Sequence, residues 1–296
     1  MLKHQRSLQA LFPLATLALA GCLGYRTPML DPNANAPVSP APRDAPPDHA
    51  SDTQLASFCQ VEKRYVLLLG DDGQLYRFEA DTLALTSLAK VSCGSYDLNS
   101  MTVSPIGPAY ISSLRGDLCL VDMRTFQSAR TAFSPLLVMS KSYGMALLPD
   151  STAAGQPLYI AVKEGAASAP DHLERIDLST LALTSIGHLS PPVPSAELTA
   201  GPNGELYGFA VGDGESLLLN IDPTTASAID VTRVPAGFAE GAFALVYWQE
   251  AFYLFLGSIY GSTSTVYRYR KGDAQVTTIG TVSAVIIGAG VACAND

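Results

Sequence analysis

Charge is scarce in this chain. Asp, Glu, Lys and Arg make up only 15% of its 296 residues, and acidic residues outnumber basic ones 27 to 18. No basic cluster offsets the formal charge of -9, so the chain could not neutralise a run of phosphates, and nucleic acid is excluded as a partner. Motifs that carry chemistry are also missing. There is no Gly-x-Ser-x-Gly elbow, no phosphate-cradling Gly-rich loop with a lysine, no His-Glu-x-x-His and no Cys-x-x-Cys. No cofactor is expected. From Cys59 onward no helical period is visible, and no apolar run reaches the length of a transmembrane helix.

What is present begins with an export pattern. Lys3 and Arg6 precede an apolar stretch from Leu8 to Ala20, interrupted by Pro13, which ends in Leu19-Ala20-Gly21-Cys22. These four residues resemble the lipobox of bacterial lipoproteins. The resemblance implies that residues 1–21 are removed as a signal peptide and that Cys22 receives a diacylglycerol on its sulfur and an acyl chain, such as palmitate, on its new amino group. Two or three chains hold a protein firmly to a lipid bilayer. Leu23, where an Asp would retain the protein in the inner membrane, favours the outer membrane of a bacterial cell envelope. Residues 22–54 then form a disordered tether, whose residues 25–52 carry Pro28, Pro32, Pro37, Pro40, Pro42, Pro46 and Pro47 and fully extended would reach roughly 90 Å. His49 lies in it as a solvated side chain.

The remainder, residues 55–296, repeats itself. Phe78-Glu-Ala-Asp-Thr-Leu-Ala-Leu-Thr-Ser-Leu88 returns as Ile176-Asp-Leu-Ser-Thr-Leu-Ala-Leu-Thr-Ser-Ile186, with weaker copies starting at Val121, Ile221 and Tyr269. Five tyrosines, Tyr65, Tyr110, Tyr159, Tyr207 and Tyr253, head short apolar runs at the same period. Four short strands in roughly 48 residues is the period of a β-propeller blade. The expected fold is therefore all-β, a five-bladed β-propeller of four-stranded antiparallel blades. The first blade lacks an innermost strand and the last repeat is followed by one, Ile286 to Cys293, so this C-terminal strand should complete blade one and close the ring. The repeats match no specific propeller family: a Trp-Asp pair in every blade is impossible with Trp248 as the single tryptophan.

Four cysteines besides Cys22 permit three pairings. Strand ends that share a face of the ring select Cys59 with Cys293 and Cys93 with Cys119 as disulfides.

Ligand-binding candidates sit just before each innermost strand, where the channel mouth of a propeller is lined: Asp97 and Asn99, then Lys141, Ser142 and Tyr143, then Glu197, then Glu240. No catalytic residue is assigned among them. His172 and His188, with Asp171 and Glu174, offer imidazole and carboxylate but match no known metal-ligand spacing, so no metal is assigned either. Arg115-Gly116-Asp117 reads as a hairpin turn. Asp122, Asp177 and Asp222 recur beside Thr125, Thr180 and Thr225, which makes them architecture, since a site needs different residues in different blades. The expected function is a binding or interaction module for a protein, a glycan or an envelope component. The alternatives are an enzyme, a glycan hydrolase or a lactonase-like protein using the channel-mouth residues, and a structural envelope scaffold. A binder should show a plugged mouth and an exposed aromatic or apolar patch, an enzyme an open mouth with two carboxylates in reach.

Overall fold

The computed structural model describes residues 64–94, 97–104, 107–133, 143–148, 156–162, 171–193, 195–211, 216–235 and 241–293. Five four-stranded antiparallel sheets account for them, and none of these residues is helical. Blade one runs, from the axis outward, β20 (Ile286–Cys293), β1 (Arg64–Gly70), β2 (Gln74–Glu79) and β3 (Ala84–Lys90). The C-terminal strand thus supplies the innermost position, as the count of repeats requires. Blade two is β4 (Leu98–Val103), β5 (Ala109–Ser113), β6 (Leu118–Val121) and β7 (Ser128–Arg130). Blade three is β8 (Tyr143–Leu147), β9 (Leu158–Val162), β10 (His172–Ile176) and β11 (Leu183–His188). Blade four comprises β12 (Ala196–Ala200), β13 (Leu206–Val211), β14 (Ser216–Ile221) and β15 (Ala228–Val234), and blade five β16 (Gly241–Trp248), β17 (Ala251–Ser258), β18 (Ser264–Tyr269) and β19 (Thr277–Val282).

The apolar runs behind the five tyrosines are the second strands, and their burial explains their composition. A blade is covered on both faces, so its second strand takes apolar residues in a run instead of at alternate positions. In β1, Tyr65, Leu67 and Leu69 join the core shared with blade two, while Val66 and Leu68 join the core shared with blade five. Five apolar clusters result, each centred on one blade-to-blade interface. Each Leu buried this way contributes about 2 kcal/mol. The outermost strands are covered on less of their surface, and β3 and β11 accordingly hold only exposed and half-buried residues.

Around the axis the innermost strands β20, β4, β8, β12 and β16 pack side by side in a closed ring. Glycine permits the close approach. A Cβ on Gly144 would stand 2.2 Å from the Ala196 carbonyl oxygen, and one on Gly288 would stand 2.5 Å from the Met101 amide nitrogen. No side chain fits there.

The repeated sequence forms the turn between third and fourth strands, and its residues have one task each. Asp122, Asp177 and Asp222 accept through Oδ1 from the amide two residues on, at Arg124, Ser179 and Thr224. Thr82, Thr125, Thr180 and Thr225 accept through Oγ1 from the amides of Ala84, Gln127, Ala182 and Ser227. Between them a residue with a side chain is held left-handed: Leu83 (φ 58°), Phe126 (55°), Leu181 (58°) and Ala226 (61°). Such a conformation costs about 1–2 kcal/mol outside glycine. The side chain it presents offsets that cost by entering the preceding blade. Leu83 Cδ1 fills the space above Gly280 on β19, and Leu83 shares an apolar cluster with Ile279, the bulged residue of that strand. Leu88 and Phe126 repeat the arrangement between blades one and two, and Ile186 and Ala226 between blades three and four. Blade five breaks the series. Its turn has Gly272 at φ 99° and no left-handed residue with a side chain, and Ile229 and Val231 on blade four's outer strand are 69% and 43% exposed.

Candidate functional site

The strand directions give the ring two ends. At one, the entry face, the innermost strands begin and the hairpins between second and third strands turn. At the other lie the repeated turns. Every described channel-mouth candidate belongs to the entry face, and the structure distributes them among three environments. Asp97 is exposed, and its backbone carbonyl accepts from the Leu114 amide. Tyr143 is buried between blades two and three, where its hydroxyl donates to the Gly116 carbonyl at 3.1 Å. Burial pushes its phenol far above the ordinary tyrosine range, with the Asp117 carboxylate adding to the shift. Asn99 and Glu197 lie at the axis. Lys141, Ser142 and Glu240 fall outside the described residues, as do Cys22, His49 and Cys59.

At the axis, β8 presents a backbone edge with no neighbouring strand to bond it. Side chains of two other blades take its groups in turn. Asn99 Nδ2 donates to the Tyr143 carbonyl at 2.8 Å, and the Leu147 amide donates to Thr102 Oγ1 at 3.2 Å. The Met145 amide donates to the Glu197 carboxylate, which also accepts from its own neighbour Leu198 and, at 2.9 Å, from Ser100 Oγ of blade two. One carboxylate therefore joins blades two, three and four. Glu197 is 5% exposed. Burial raises its pKa well above the usual carboxylate range, the three donors oppose that shift, and the nearby Asp171 carboxylate reinforces it. Asp171 is buried as well, with Oδ2 accepting from the Ala196 amide at 2.8 Å. This arrangement joins strands where a catalytic pair would need room for substrate. Ser100 and Thr102 carry no motif that would have marked them in the sequence, because their roles arise only when the ring closes.

His172 and His188 come together. They face each other across β10 and β11, their Nε2 atoms are 2.9 Å apart, and their ring centroids are 3.7 Å apart at 77°. Asp171 and Glu174 do not complete a set with them: among the described residues no group of three or more His, Cys, Asp or Glu could hold a metal.

Arg115-Gly116-Asp117 is the hairpin turn between β5 and β6. Ser113 Oγ accepts from the amides of Arg115 and Asp117, Gly116 has φ 82°, and the buried Asp117 carboxylate pairs with Arg130. Cys93 and Cys119 are bonded beside it, 5.6 Å apart at Cα. Cys293 is also disulfide-bonded.

The entry face carries one feature the strand pattern did not single out. The hairpin between β17 and β18 projects Ile259 and Tyr260, 49% and 86% exposed. An aromatic residue within Ser258-Ile-Tyr-Gly-Ser262 was the available signal, since turns of that composition need no apolar side chain.

Solved structures with similar backbones include a nidogen/laminin complex (8% identity, TM-score 0.49, covering 79% of this chain and 100% of that one) and a protein of unknown function from Bacteroides caccae (11%, 0.48, 77% and 98%). A third is the hydrazine synthase of Kuenenia stuttgartiensis (14%, 0.41, 72% and 65%). No family model matches the chain, and no curated protein matches it, so the five-bladed propeller stands on its own strand order and ring closure.

Proposed function

We propose that the chain is a binding module, a propeller held to the bacterial outer membrane through acylated Cys22 and the Pro-rich tether, which engages a protein or glycan of the envelope through its entry face. One observation carries the reading: the axis is occupied by Glu197, Ser100, Asn99 and Thr102 bonding strands together, while Ile259 and Tyr260 stand exposed on the same face. Apolar side chains presented on a rigid frame favour contact with another surface. The hydrolase alternative loses its principal residue, because Glu197 already accepts from three donors.

The experiment places a photo-crosslinking phenylalanine at Tyr260 of the full-length chain in its own cells, with Thr82 on the opposite face as control. A discrete adduct at position 260 and none at 82 is expected. No adduct at 260, or the same adducts at both positions, overturns the reading of the face. The anchor is tested separately by Cys22→Ser, which should move the protein from the membrane to the soluble fraction.

A further inference from the structure

We propose that His172 and His188 form a chelating site for a divalent transition metal, Cu(II) foremost. The argument starts from distance. Two nitrogens bound at 2.0–2.1 Å to one ion stand about 2.9 Å apart at right angles and about 3.3 Å apart in a tetrahedron, a range within reach of the exposed His188 side chain. The two Nε2 atoms are separated by 2.9 Å.

The backbone holds that pair in place. His172 and His188 are direct partners in the antiparallel register of β10 and β11, and the Leu189 amide donates to the Asp171 carbonyl immediately beyond them. The two rings differ in freedom. His172 is half-buried, with Nδ1 enclosed and unpartnered, so Nε2 is the one nitrogen it can present outward. His188 is exposed and can turn to bring both lone pairs onto a common ion, which opens the ring centroids from 3.7 Å to about 4.5 Å. Water completes the coordination. Imidazole suits copper, nickel and zinc, and copper binds tightest of the three at a given nitrogen site. Without metal, the same 2.9 Å contact needs one ring to donate and the other to accept, so the pair admits a single proton between the two nitrogens.

The test titrates Cu(II) into the full-length protein and follows electron paramagnetic resonance, in which two equatorial imidazole nitrogens have a distinct signature. One equivalent with that signature is expected. His188→Ala, at an exposed position that the fold tolerates, should erase it and weaken binding by about tenfold or more. His172→Ala should do the same, and His49→Ala in the tether should change nothing. A wild-type signal with one imidazole or none, or equal binding by His188→Ala, overturns the proposal. Neither result bears on the crosslinking at Tyr260.

Discussion

Glu197 is a carboxyl group that burial disfavours as an anion, and this gives the fold a pH dependence opposite to that of its surface aspartates. Its folded pKa lies well above the ordinary 4.5, so the folded chain keeps a proton that the unfolded chain has released. Stability therefore falls as pH rises from about 4.5 to the folded pKa, with a limiting slope of about 1.4 kcal/mol per pH unit. Asp177 and Asp222 behave in the other sense. Hydrogen bonds from Ser179 and Thr224 lower their pKa values, so their contribution is present above the ordinary 3.8 and is lost as pH falls. Glu197→Gln keeps an acceptor for Ser100 and Met145 without the ionisation. Thermal unfolding from pH 4 to pH 9 should show the wild type declining towards alkaline pH and the variant lacking that decline. A parallel decline in both proteins would mean that another group is responsible.

At the scale of the element, the repeated turn exchanges backbone strain for a side chain delivered to the neighbouring blade. The balance differs with the size of that side chain. Ala226→Gly relieves a left-handed alanine while deleting one methyl group, so its effect on stability should lie within about 1 kcal/mol. Leu83→Gly relieves the same strain but empties the contact over Gly280 at the seam between blades five and one, and it should destabilise by about 2 kcal/mol or more. Denaturant titration of the two variants decides the matter, and equal effects would show that the contact contributes nothing. The recurrence of Asp and Thr made the turn legible in the sequence. Its handedness did not show, because Leu, Phe and Ala at one position look like variable apolar residues until φ is known. Blade five was legible as one of the weaker copies, but the exposure of Ile229 and Val231 on the neighbouring outer strand is displayed by no local pattern.

For the whole molecule, strand count and period were enough to foresee ring closure, since an innermost strand without a blade and a blade without an innermost strand must meet. The axial site was legible only in part. Glu197 and Asn99 could be placed near the axis, but their partners Ser100, Met145 and Tyr143 come from other blades and are fixed by geometry alone. The closure also bears on the cysteines. Cys93 and Cys119 pair with each other and Cys293 is disulfide-bonded, while Cys59, the mate expected for it at the seam, lies outside the described residues. Peptide mapping without reduction should recover Cys59 joined to Cys293. The double Ser variant should lose roughly 5 kcal/mol in the chain-entropy account, and a seam that unfolds at the wild-type denaturant midpoint would contradict it.

The placement of β20 has a consequence for how the chain is made. Blade one is begun by β1 and finished by the final strand, so every intermediate length leaves the inner edge of β1 bare and the circle open. Synthesis from the N-terminus cannot yield a closed ring until β20 has been made. A chain that lacks β20 leaves the inner edge of β1 open to proteases and to other chains, and one that carries it does not. β20 thereby acts as the closing strand: only a molecule that carries it pairs the inner edge of β1 and completes the circle.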